Sequence, residues 1–196
     1  PGSTRSYEFA KRLVARGDTV HMVTTNWQGK SKLSFTNESG INVYWAPIPY
    51  ANKMNFLERI SAYLGYVWFT FIIGHKLNYD LIIASSTPLT IAIPALWLKR
   101  AKRAKMIFEV RDLWPQLPIA IGALKSPIMI KIAQFLEKKA YAGSEKVIAL
   151  STGMNSVLEE RVPSNKISVV TNLSDRKNFN VSDQKGINFR KNYPGI

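Results

Sequence analysis

The stretch Phe108-Glu109-Val110-Arg111-Asp112-Leu113-Trp114-Pro115 holds the residues best suited to chemistry in this chain. An apolar, β-branched run ends there in two opposite charges, followed by an aromatic and a proline that interrupts the backbone. At such a position Asp112 can take or orient the proton of a hydroxyl, and Arg111 can hold a phosphate through bidentate hydrogen bonds. The plainer alternative is a structural ion pair between them. A second candidate is Pro1-Gly2-Ser3-Thr4, which leads directly into a helical pattern. Backbone amides at a helix start bind phosphate oxygens, yet a Gly before a Ser serves simple capping equally well. Thr24, Thr25, Ser85, Ser86, Ser151, Thr152 and Asn172 complete the set, each at the end of an apolar run. Ser151 and Thr152 also read as helix caps.

Other chemistries are excluded. The chain has no cysteine, so it has neither disulfides nor thiolate ligands nor a thiol nucleophile. His21 and His75 lack a partner at diagnostic spacing, and the Glu137/Glu145 pair straddles a helix end and a glycine. There is no Walker loop, dinucleotide glycine fingerprint or metal motif, so no metal or resident cofactor is expected.

The elements that must position these residues follow from periodicity. Apolar runs at Thr19–Thr24, Ile41–Ala46, Asp80–Ala84, Lys105–Val110, Lys146–Leu150 and Lys166–Thr171 predict six buried strands. Helical segments lie between most of them, at Phe56–Leu77, Leu89–Arg103, Pro127–Tyr141 and Thr152–Arg161. Such alternation predicts an α/β fold, a doubly wound parallel sheet with right-handed crossovers, whose ligands bind at the carboxyl ends of the strands. The amphipathic segment Thr4–Ala15 has no strand before it, so a first strand is expected upstream. Residues 1–175 read as one Rossmann-like domain, and 176–196, polar and Asn-rich, as a linker toward another.

Charge points to the partner. The 196 residues hold 27 Lys and Arg against 13 Asp and Glu, a formal charge of +14. Nucleic acid, anionic lipid and diphosphate ligands all gain Coulomb energy from such a surface. Trp97-Leu98-Lys99-Arg100-Ala101-Lys102-Arg103-Ala104-Lys105 concentrates cations beside a Trp, as a membrane-surface helix end does, although a dipole-favoured helix terminus also accounts for it. Ile60–Gly74 is uncharged and aromatic but too short to span a bilayer. It reads either as a helix packed on the sheet or as one dipped into the interface through Tyr63, Tyr66 and Trp68. Pro127–Tyr141 carries Ile128, Ile132, Phe135 and Leu136 on one side, with Lys131, Lys138 and Lys139 nearby, after Lys125. The chain does not open with a signal peptide.

Together these stretches resemble the N-terminal domain of family 4 retaining glycosyltransferases, the bacterial enzymes of capsule and O-antigen synthesis. The marks are Pro1-Gly2-Ser3 before Tyr7-Glu8-Phe9-Ala10-Lys11-Arg12-Leu13, then Gly17–Thr25, Arg111-Asp112-Leu113-Trp114-Pro115, Leu136–Tyr141, Val147–Met154 and Lys166–Asp175. They cover nearly the whole chain. The resemblance implies one half of a GT-B enzyme: the N-terminal domain takes the acceptor and an absent C-terminal domain holds the nucleotide sugar. It implies that Gly2 and Ser3 approach the donor diphosphate, and that Asp112 is the catalytic candidate. Arg111, Trp114 and Arg5 would lie on the acceptor side, and Ser151 and Asn172 along the cleft. Many members have His before this Asp where Arg111 stands here, and the usual Asn-Gly is Asn172-Leu173, so those roles do not transfer.

The implied reaction moves a hexosyl or N-acetylhexosaminyl unit from a nucleotide-diphosphate sugar, with retention, to a polyprenyl-diphosphate-linked saccharide. A peripheral protein on the cytoplasmic face of the plasma membrane is expected. Trp97, Lys99, Arg100, Lys102 and Arg103 would face anionic lipid, and no nucleic-acid partner is expected. The fragment alone should not turn over. Two other readings stand beside this one, a non-catalytic basic binding module for nucleic acid or lipid and a GT-B-like nucleotide-sugar epimerase.

Overall fold

The computed structural model describes residues 5–26, 33–49, 54, 56–86, 88–172 and 183–192. The amphipathic opening segment forms helix α1, Arg5–Ala15. Gly17 ends it with a positive φ of 95°, while Gly17 N–H and Asp18 N–H donate back to the carbonyls of Val14 and Leu13. This closing pattern needs a left-handed residue, which glycine supplies without a Cβ clash.

Strand β1 (His21–Thr25) pairs in parallel with β3 (Ile41–Ala46), and β2 (Ser34–Glu38) pairs with β3 in antiparallel fashion. The β2–β3 hairpin closes through Ser39 and Gly40, both left-handed at φ 52° and 82°, as a two-residue turn between right-twisting strands requires. Helix α1 packs Ala10, Tyr7 and Val14 onto Ile41 and Val43 to form a small core.

The larger core surrounds β4 (Leu81–Ser86), β5 (Lys105–Val110), β6 (Lys146–Ala149) and β7 (Ile167–Val169), an all-parallel sheet in that order. Helix α2 (Phe56–Lys76) precedes β4. A 3-10 turn and α3 (Ala92–Lys102) join β4 to β5, α4 (Gln116–Ala120) and α5 (Pro127–Gly143) join β5 to β6, and α6 (Thr152–Glu159) joins β6 to β7. Met106, Phe108 and Val110 of β5 are buried among Ala84, Ala140, Tyr141, Val147, Ala149 and Leu158. Helix-covered parallel strands are apolar on both faces for this reason. The α/β, Rossmann-like class expected from the sequence is the observed one.

Three features differ from expectation. The strands fall into two sheets, β1-β3-β2 and β4-β5-β6-β7, with β1 and β4 at edges. Strand β2 was absent from the expected set because SFTNE is too polar to register as an apolar run, and it pairs against the parallel direction. Helix α7 (Asp183–Asn192) stands within the stretch read as a linker; its sequence is too polar to present an apolar stripe.

Candidate active-site cleft

The carboxyl ends of β5 and β7 are tied together by one arginine, and that of β4 joins them through Glu109. Arg5, in the first turn of α1, donates from Nε to Glu109 Oε1 at 2.6 Å. Its Nη1 donates to the Thr171 carbonyl at 2.9 Å and to Asn172 Oδ1 at 3.0 Å, and its Nη2 to the Val170 carbonyl at 2.6 Å. The start of α1 is thereby clamped to the ends of β5 and β7. Glu109 is only 1% exposed, and its second oxygen accepts a 2.6 Å bond from Ser85 Oγ at the end of β4. A buried carboxylate with both oxygens satisfied is tolerable in a low-dielectric interior; an unpaired one is not. Ser86, the next residue, is buried and accepts the Arg111 N–H at 3.1 Å.

These bonds shape the exit of β5. Arg111 stands exposed and Asp112 half-buried immediately beyond the Glu109 cluster, where the chain leaves the sheet. Trp114 packs against the main core and is followed by a cis bond to Pro115. Trp114 thus anchors the loop that presents Arg111 and Asp112. Its ring was expected on the acceptor side; the structure gives it packing contacts.

A cavity of about 350 Å³ borders Ser85 of this cluster, its other walls including Thr24 and Thr25 of β1, Ile48, Tyr63 and Tyr66, and Thr90 and Ile91. Tyr66 donates its hydroxyl to the Val23 carbonyl at 2.9 Å, and burial pushes its phenol up from the usual range. Of the three aromatics read as interfacial candidates on α2, Tyr63 and Tyr66 therefore line this cavity, and Trp68 is the exposed one. The carboxyl ends of β1 and β4 converge here, as the switch point of an open α/β sheet predicts.

The other expected site residues fall as follows. Gly2 and Ser3 lie outside the described residues. Ser151 caps α6, its Oγ accepting the Met154 N–H at 3.1 Å. Asn172 serves Arg5. Trp97 is half-exposed and meets Phe71 edge-on at 5.0 Å and His75 at 5.6 Å. Lys99 donates to the Gly143 carbonyl at 2.5 Å and lies 4.0 Å from Glu145, bracing α5. Arg100 and Arg103 are exposed and Lys102 half-buried, and Arg103 ends α3 in a left-handed conformation. Among the described residues, no three His, Asp or Glu side chains gather as metal ligands would. No described helix is long and apolar enough to cross a membrane.

Sequence reasoning passed over Glu109 as a functional residue. The available signal was an acid flanked by apolar residues on a central strand, which demands a partner.

Among solved structures, the sucrose-phosphate synthase of Thermosynechococcus elongatus matches with a TM-score of 0.71 at 12% identity, over 94% of this chain and 46% of that one. HepE of Anabaena, solved in complex with UDP-glucose, matches with a TM-score of 0.51 at 14% identity, over 88% of this chain and 49% of that one. The chain thus spans about half the length of these relatives, and at such identities the likeness establishes the fold, that of a Rossmann-like half of a GT-B enzyme. No curated protein sequence matches. The sequence profile of the glycosyl transferase 4-like domain matches residues 2–172. The chain belongs to the glycosyl transferase 4-like domain family.

Proposed function

We propose that this chain is the acceptor-side half of a retaining glycosyltransferase. The whole enzyme moves a hexosyl or N-acetylhexosaminyl unit from a nucleotide-diphosphate sugar to a polyprenyl-diphosphate-linked saccharide during capsule or O-antigen assembly. The observation behind this reading is the exit of β5, where Arg111 and Asp112 stand beyond the Arg5–Glu109–Ser85 cluster, whose Ser85 also lines the cavity at the ends of β1 and β4. A basic side chain and a carboxylate side by side at the carboxyl edge suit an anionic leaving group and a reacting hydroxyl. The UDP-glucose bound to HepE supports a nucleotide-sugar donor.

In this reaction the bond from the anomeric carbon to the diphosphate oxygen breaks and a bond to the acceptor oxygen forms on the same face. The acceptor proton passes either to the departing phosphate oxygen or to Asp112. Developing charge is met by fixed positive groups and helix-start amides, with Gly2 and Ser3 proposed for the diphosphate. A second, nucleotide-binding half completes the enzyme, so this half alone does not turn over. The net charge of +14 and the exposed Trp97, Arg100 and Arg103 support peripheral association with the cytoplasmic face of the membrane.

The test is sugar transfer by the two-half enzyme, from a panel of nucleotide-diphosphate sugars to a lipid-diphosphate acceptor, with Asp112→Ala beside the parent. Loss of transfer in a folded variant supports reaction and site. No transfer with any donor, alongside tight nucleic-acid binding, overturns the reading.

A further inference from the structure

Helix α5 turns apolar residues toward water. Its inner positions are filled by Ala133, Leu136, Ala140 and Tyr141, which pack on the main core, and by Glu137. Its outer positions hold Ile128, Ile132 and Phe135, which are 71%, 54% and 63% exposed. Spaced i, i+4 and i+7, these three form one stripe along the helix. A surface helix of a water-soluble domain normally carries polar groups there. Just before it, Leu117 of α4 is exposed and Ile121, which ends α4, is 70% exposed.

The charges around this stripe are all of one sign. Between residues 116 and 143 the cations are Lys125, Lys131, Lys138 and Lys139, all exposed. The one acid of that segment, Glu137, is buried and bound by Tyr141 and Arg161. The outer face therefore shows large apolar side chains and lysines with no anion among them. Lys139 Nζ lies 5.3 Å from the centre of the Phe135 ring, so cation and apolar stripe form one surface. Helix α3 packs against both α5 and α2, and these helices add exposed Ile93 and Trp97, and Leu64, Trp68 and Ile72.

We infer that the outer face of α5, with Leu117 and Ile121 beside it, is the surface by which this protein docks on an anionic lipid bilayer. Exposed apolar side chains enter the boundary between headgroups and acyl chains, while the lysines meet lipid phosphates. An acidic protein partner would match the charge too, but a groove-bound partner covers one stripe. Apolar exposure spread across α2, α3 and α5 fits an extended surface. The inference deepens the membrane-side reading above and rests on it for the choice of partner; it shifts the principal contact from the end of α3 to α5.

The experiment is flotation of the purified chain with phosphatidylcholine vesicles, and with vesicles of equal parts phosphatidylcholine and phosphatidylglycerol. The parent should float with the anionic vesicles only. Lys131→Gln/Lys138→Gln/Lys139→Gln should weaken that binding by about tenfold or more. Ile132→Ser/Phe135→Ser should also weaken it, and because both residues are exposed the fold should be kept, as circular dichroism checks. Arg12→Gln/Arg16→Gln/Lys11→Gln removes as many charges from α1 and the turn that follows it, and should change binding far less. Equal losses from the α1 and α5 triple variants would reduce the effect to net charge and overturn the inference. So would an absence of vesicle binding, or a self-association that Ile132→Ser/Phe135→Ser disperses in place of lipid binding. Transfer by the two-half enzyme to a water-soluble acceptor would separate the two readings. Transfer without vesicle binding sinks only the docking surface, and vesicle binding without transfer sinks only the reaction.

Discussion

The Arg5 guanidinium lies 2.6 Å from the Glu109 carboxylate, although 104 positions separate the two in the chain. Arg5 is 11% exposed and Glu109 1%, so each is the other's principal means of carrying charge inside the fold. The contact also sets where α1 begins relative to β5, and with it the edge on which Arg111 and Asp112 stand.

Removing one member should cost more than removing both. Arg5→Leu leaves the Glu109 carboxylate buried with only Ser85 to satisfy it, and should lower stability by about 3 kcal/mol. Arg5→Leu/Glu109→Leu should recover part of that loss, because no uncompensated charge remains. Urea unfolding of both singles and the double checks this; additive losses would mean that the pair is not coupled.

For Asp112, the expected loss of transfer separates two roles. If its carboxylate takes the acceptor proton, both Asp112→Ala and Asp112→Asn should lower kcat by about a hundredfold or more. If it only orients the hydroxyl, Asp112→Asn should keep much of the rate, because an amide oxygen still accepts a hydrogen bond. Steady-state kinetics with saturating donor distinguishes these outcomes.

A pH dependence follows from Glu137. Burial raises its carboxyl above the usual range, and the charge of Arg161, whose Nη1 is 2.9 Å away, and the Tyr141 hydroxyl only partly offset this. A folded pKa above the unfolded value means that the folded state holds the proton longer. This group's contribution to stability is therefore greatest below the unfolded pKa and falls as pH rises through the folded one. Arg161→Leu removes the lowering charge and widens that window. Arg161 is 32% exposed, so solvent screens part of the effect. The variant should lose about 2 kcal/mol near pH 8 and clearly less near pH 5, by denaturant titration at each pH.

Gly40 offers a steric test. Its φ of 82° is the left-handed conformation of the β2–β3 turn, and an added Cβ would stand 2.6 Å from Val14 Cγ1. Gly40→Ala should therefore destabilise by about 2 kcal/mol through backbone strain and displacement of α1. Ser39 in the same turn is also left-handed, so Ser39→Gly should be neutral or stabilising. Thermal unfolding of the two variants gives the comparison.

Much of this fold was readable in the residues themselves. KMIFEV announced β5 because a strand covered on both faces needs a nearly continuous apolar run, and the 3.6-residue period announced α1. The hairpin strand β2 escaped because its pairing with β3 is enforced by the Ser39-Gly40 turn and the neighbouring strand, not by its own polar residues. In the site, Arg111 and Asp112 were legible from the abrupt end of an apolar run. Ser151 was legible as a possible cap, and the structure gives it that bond. The tasks of Arg5 and Tyr66 were not legible, because each depends on a carbonyl or carboxylate supplied from far along the chain.

Local order determined most of the helices and strands, β2 and α7 excepted, that the sheet is largely parallel, and that charges collect at strand ends. Those properties depend on side-chain period and on interactions within a few residues. Tertiary structure decided which side of each element meets the core. The sequence of α5 groups Ile128, Ile132, Phe135 and Leu136 on one side, yet the folded chain turns Leu136 inward and leaves the other three in solvent. A period states the angle between residues of one helix and says nothing of where the next element lies. That position, and the bond from Arg5 to Glu109, exist only once the crossovers have brought distant strands together.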